Sequence, residues 1–172
     1  MRSSRRPDEG SFERVMRLAK RSAAVVGLLL LFGAASTASA TLGGDAGSVA
    51  TDVAALGAST QPASAVGAAT MHTLTLPSGT VVHEYVSPAG RVFAVAWTGP
   101  LLPPLKQLLG TDNFTQYTQA VNAAQASGSL RGRTNIVLDD LVVLSGGHMG
   151  AFSGTAYLRS AMPAGFSAND IQ

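Results

Sequence analysis

The chain has 172 residues, 12 basic and 10 acidic side chains, 46% hydrophobic and 13% charged residues, and no cysteine. That leaves room for one modest domain and excludes disulfides and a cysteine-anchored lipoprotein. Seven of the 12 basic residues and three of the 10 acids precede residue 22, so residues 22–172 carry five basic against seven acidic groups and no basic surface for nucleic acid.

Arg14, Arg17, Lys20 and Arg21 stand before an apolar run from 23 to 32, and small residues lead to Ala38-Ser39-Ala40. This is the pattern of a secretory signal peptide over residues 1–40, cleaved between Ala40 and Thr41. Met16 begins a leader of ordinary proportions, so residues 1–15 read as an upstream extension or a start-site difference. Arg5-Arg6 runs into Pro7-Asp8, not the apolar pair of a twin-arginine signal. The apolar run is shorter than the roughly 20 residues a membrane span needs, so no membrane anchor is expected after cleavage. The expected destination is the periplasm, with full secretion as the alternative.

Residues 41–69 are dominated by Ala, Gly, Ser and Thr and read as an arm or linker, with Val49, Val53 and Leu56 spaced for a short helix over 48–56. From 70 the pattern becomes β. Residues 71–76, 80–86 and 91–98 read as strands separated by Pro77-Ser78-Gly79 and Pro88-Ala89-Gly90, where proline presets the first turn position and glycine takes the left-handed one. Pairing Leu76 with Thr80 and Ser87 with Arg91 puts Leu74, Val82 and Ala96 on one face. Phe93, Val95 and Trp97 fall on the face opposite Ala94 and Ala96. Both faces are apolar, so one is expected to pack on a helix and the other under the arm, a partner or a second copy.

Pro103-Pro104 opens a short helix closed by Gly110. Phe114, Tyr117, Val121 and Ala124 then form the stripe of a longer one ending at Gly128. Residues 135–138 and 141–144 are apolar and broken by Asp139-Asp140, and Gly146-Gly147 is expected to turn the chain into 150–158 as a hairpin. Gly150 and Gly154 on one side of that return strand suggest a bulge or a close backbone approach. Ser167 can cap a last helical turn. The expected fold is α+β: a three-stranded antiparallel meander, a helical segment and a β-hairpin, packed as one small domain over 70–172.

Glu84-Tyr85-Val86-Ser87-Pro88-Ala89-Gly90 with Val92-Phe93-Ala94-Val95-Ala96-Trp97, together with Leu42-Gly43-Gly44, Leu108-Leu109-Gly110, Ser145-Gly146-Gly147-His148-Met149 and Ala156-Tyr157-Leu158, resembles a family of small exported Gram-negative bacterial proteins known only as a domain of unknown function. The resemblance covers most of the chain after the leader and implies export and a shared fold. It carries no functional residue across. Residues 46–69 depart from the family pattern.

The residues offer little catalytic chemistry. No serine stands in G-x-S-x-G; Ser153 comes nearest, with Ala151 and Thr155 at the glycine positions. A dispersed triad would have to draw on His148 and Asp139 or Asp140. After the leader Glu84 is the only glutamate, beside six aspartates in turns and tail, so a facing pair of carboxylates for glycoside hydrolysis is not evident. A metal would have to use His72, Glu84, His83 and His148. The expected register sets His72 opposite Glu84 and turns His83 to the other face, and two ligands do not close a zinc site. Trp97, Phe93 and Tyr85 are candidates for an aromatic platform for sugar or peptide. No catalytic residue, metal site or cofactor is therefore assigned. The leading expectation is a non-enzymatic exported protein acting by contact, as an adaptor, accessory or assembly factor with an envelope protein partner, self-association being a further option. The alternative is a small-ligand or metal-binding periplasmic module, and a third is a hydrolase of unrecognised type.

Overall fold

The computed structural model describes residues 42–129 and 132–172. The signal peptide read over 1–40 and its cleavage point at Ala40 and Thr41 lie outside the described residues. A nine-residue helix α1 (Ser48–Leu56) is followed by two short strands, β1 (Ser59–Thr60) and β2 (Ser64–Val66), and by the meander β3 (Ala69–Thr75), β4 (Val81–Val86) and β5 (Val92–Gly99). Helices α2 (Leu105–Leu109) and α3 (Thr111–Ala126) precede a second group of strands, β6 (Thr134–Val137), β7 (Leu141–His148) and β8 (Ala151–Leu158). All pairings are antiparallel, in one eight-stranded sheet of order β1-β3-β4-β5-β8-β7-β6, with β2 also on β3. The fold is thus α+β as expected, with more strands than the sequence reading assigned, because the polar β1 and β2 lack apolar alternation and the apolar run over 135–144 divides at Asp139-Asp140 into β6 and β7.

Both proline-glycine turns close as expected: Leu76 N–H donates to Thr80 O at 2.9 Å and Ser87 N–H to Arg91 O at 2.8 Å. Between them a bulge changes the register. Tyr85 faces Ala94 but Val86 faces Val92, so Phe93 is the extra residue. This corrects two expectations. Val82 stands opposite Trp97, not in line with Ala96, and Phe93 joins Ala94 and Ala96 on the face opposite Val95 and Trp97.

The helices cover one face, packing Val49, Leu105, Leu108 and Leu109 on Leu74, Val82, Val95, Trp97, Val143 and Ala156. The other face is covered by the C-terminal tail, not by the arm. Phe166 makes an edge contact with Phe93, centroids 5.0 Å apart, and another with Tyr85 at 5.9 Å. The Tyr85 hydroxyl donates to Gln172 O and accepts from Gln172 N–H, both at 3.0 Å, and His83 Nδ1 lies 2.7 Å from the same carbonyl. Ser167 caps the final turn through a reciprocal pair with Asp170. Tyr85→Phe removes both hydroxyl bonds from the tail. It should cost about 1 to 2 kcal/mol, read as an earlier chemical-denaturation midpoint together with faster proteolysis near residue 166.

Residues 42–69, read as an arm or linker, are built into the domain. Gly43 N–H donates to Val92 O and Val92 N–H to Gly44 O, extending the pairing beside β5. Asn113 Nδ2 donates to both Leu42 O and Leu109 O at 2.9 Å, and Asp45 Oδ1 accepts the Ser48 N–H at the start of α1. Composition concealed this because these bonds are made by backbone and by single polar side chains.

The second hairpin turns at Met149-Gly150, not at Gly146-Gly147, which lies inside β7 paired with Ser153 and Phe152. A side chain at Gly147 would sit 2.7 Å from Phe152 Cα, so only glycine lets the strands approach there. The close approach expected at Gly154 is present: it faces Trp97, and the indole ring lies over it.

Candidate functional site

Asp52 lies on the inner face of α1 with Val49, Val53 and Leu56 and is only 1% exposed. Glu84, also 1% exposed, projects from the centre of β4 on the helix-covered face beside Val95. The two carboxyl groups adjoin one another beneath the helices, close enough for each to shift the other's titration. Gln107 of α2 donates from Nε2 to Asp52 Oδ1 at 2.6 Å.

Two carboxylates in contact away from water cannot both be ionised at low cost. Loss of solvation, then the hydrogen bond and charge of Asp52, push Glu84 up to about 9. Loss of solvation raises Asp52 to about 6, against the lowering effect of its bonds to Gln107 and Glu84. At neutral pH the pair is therefore a carboxylic acid, Glu84, donating to a carboxylate, Asp52, which Gln107 also supports. Glu84 Oε2 and Trp97 Nε1 are buried without a hydrogen-bond partner among the described residues.

The sequence-predicted residues separate. His72 stands opposite Glu84 as expected, but the carboxyl of Glu84 engages Asp52 instead. His83 is on the tail face with Tyr85. Tyr85 and Phe93 are core residues under Phe166, whereas Trp97 belongs to the helix-covered core, so the three aromatics do not form one platform. His148 is exposed beside the β7–β8 turn. Asp139-Asp140 is the turn at the other end of β7, roughly 25 Å away at about 3.3 Å per residue. Asp140 there accepts from Ser160 N–H and Oγ–H at 2.7 and 2.9 Å, so His148 and these aspartates are not brought together. Among the described residues no group of three or more His, Cys, Asp and Glu could hold a metal, and no helix is long and apolar enough to cross a membrane.

Sequence reasoning missed Asp52. The signal was available: positions 49, 52, 53 and 56 share a helical face, and a carboxylate on that apolar stripe needs a buried partner.

A groove of about 650 Å³, open to solvent, lies over β5, β8, β7 and β6. Thr98, Arg133, Asn135, Ser153, Thr155 and Gln172 border it, and no side-chain carboxylate, imidazole or thiol is among its lining residues. No curated protein and no solved structure matches the chain. A family model described as "Protein of unknown function (DUF2844)" matches residues 38–171, in agreement with the resemblance read from the sequence, and the chain belongs to that family.

Proposed function

We propose that the protein is an exported, non-enzymatic protein of the cell envelope that works by contact, as an adaptor, accessory or assembly factor, through the groove over β5 to β6. One observation carries this reading: the paired carboxyls of Asp52 and Glu84 are closed inside the fold, while the open groove is lined by hydroxyls, amides, backbone, an indole and one guanidinium, with no side-chain carboxylate or imidazole. Such a lining can hold a polar polypeptide but has no general base of its own. The leader composition supports export. A second reading, a small-ligand module, is favoured by the groove volume, which lies in the range of ligand pockets.

The absence of cysteine makes the test direct. Ser153→Cys, in the groove, and Gln119→Cys, on the exposed side of α3, each carry one photocrosslinker during incubation with envelope extract. The contact reading expects one reproducible protein adduct from position 153 and none from 119. Equal labelling from both positions, or no adduct from either, contradicts it.

A further inference from the structure

The two edges of the sheet differ. One is split between β1 and β2, two and three residues long, with Pro62 between them, which is how natural sheets blunt an edge. The other is β6, continuous over Thr134–Val137 and free of proline. Among the described residues nothing pairs with its outer side.

The hairpin fixes which backbone groups that side presents. Leu138 N–H bonds Leu141 O, so the alternation of an antiparallel ladder directs 138, 136 and 134 toward β7 and leaves Asn135 and Val137 with N–H and C=O pointing outward. Val137, 55% exposed, and Leu144, 39% exposed, lie on the same face next to this edge. Arg133 and Asp139, also exposed, stand at its two ends; the Arg133 stem lies over Gly146, and Arg159 Nη1 donates to the backbone oxygen of Asp139 at 3.3 Å, leaving the Asp139 carboxylate free to face the copy.

We propose that β6 pairs antiparallel with β6 of a second copy, around a two-fold axis at Ile136. Only outward-facing residues can exchange ladder bonds, so 133, 135, 137 and 139 must face one another. Centring on Ile136 sets Asn135 against Val137 of the copy and Arg133 against Asp139 of the copy, twice by symmetry. Shifting the centre to 135 keeps the hydrogen-bond parity but sets Arg133 against Val137, and shifting it to 137 leaves Arg133 past the end of the partner's edge. The charges thus select one self-complementary register. The two-fold axis runs perpendicular to the sheet, so both grooves open on the same side of the dimer. A four-residue seam makes a small interface, and the dimer is reversible. Arg133 and Asn135 of this edge also border the groove, but the bonds that join the two edges are made by backbone, so dimerisation is read without any groove partner present.

Sedimentation equilibrium of the purified protein, from about 1 μM to about 1 mM, tests it. The wild type should dimerise, and added salt should weaken the dimer. Arg133→Asp and Asp139→Arg should each lower the association constant about ten-fold or more, since each creates two like-charge pairs. The double variant should recover to within a few-fold of wild type. Asn135→Pro, which removes an outward N–H and leaves the β6–β7 bonds in place, should abolish the dimer. A wild type that stays monomeric throughout, a double variant no better than the singles, or a dimer that survives Asn135→Pro overturns the proposal.

Discussion

Gly154→Val should leave little folded protein at 37 °C. A Cβ at 154 would lie 2.7 Å from Trp97 Cε2 and 2.6 Å from the backbone carbonyl oxygen of Leu144. Trp97 is buried among Leu74, Val82 and the helices, and Leu144 O belongs to the neighbouring strand, so neither can give way without opening the sheet. Overpacking of this kind costs about 3 kcal/mol or more, roughly 10 °C in melting temperature for a domain of this size. Gly90→Ala is the control. It has a left-handed backbone, φ +74°, but nothing within 4 Å of its added carbon, and should cost only about 1 kcal/mol. Combining Gly154→Val with Trp97→Ala should cost less than the sum of the two single losses, because the space vacated by the indole receives the valine. Additive losses would show that the two residues do not share the space.

The second large effect is a fall in stability as pH rises. Glu84 keeps its proton up to about 9 in the folded protein and releases it near 4.3 when unfolded. Across that interval the native state binds the extra proton, so unfolding becomes easier with increasing pH, by up to about 1.4 kcal/mol per unit. Asp52, raised to about 6, adds to the fall at the acid end. The fall should run through the whole interval from pH 5 to pH 8, seen as a steadily earlier denaturant midpoint at each higher pH. Glu84→Gln keeps a hydrogen-bond donor toward Asp52 but carries no titrating proton. It should flatten the profile above pH 6 and be the more stable form at pH 9. A wild-type profile flat from pH 5 to 8, or one unchanged in Glu84→Gln, would rule out a buried neutral Glu84.

Much of the fold is written in local signals. Pro77-Ser78-Gly79 and Pro88-Ala89-Gly90 fix their turns because proline and glycine restrict the backbone directly, and Val49, Val53 and Leu56 mark α1 by spacing alone. The bulge at Phe93 has no such mark. It arises because the ring is drawn to Tyr85 and Phe166, a residue some 70 positions away, and that contact reverses the expected face. The Met149-Gly150 turn was hidden because glycines at 146, 147 and 150 all permit a reversal, and pairing along β8 decides among them. The site was half legible. Glu84 and its cross-strand neighbour His72 follow from the turn register, but the partner that matters, Asp52, sits in an Ala-rich segment that becomes part of the core only when Leu42 and Asp45 are tied to α2, α3 and β5. Burial of that carboxylate is a tertiary event, and composition pointed the other way.

The state of Glu84 bears on the account most directly, since a proton locked in the interior is what separates the chemistry from the open groove. The sequence has glutamates only at 9, 13 and 84, so carbon-13 labelling of glutamate carboxyls gives a spectrum simple enough to follow Glu84 through a pH titration, with Glu84→Gln assigning its signal. The expected result is a protonated carboxyl at pH 7 that titrates near 9 and moves toward the ordinary range when Asp52→Asn removes the neighbouring charge. A signal that titrates between about 4 and 5, as for a solvated glutamate, would contradict it.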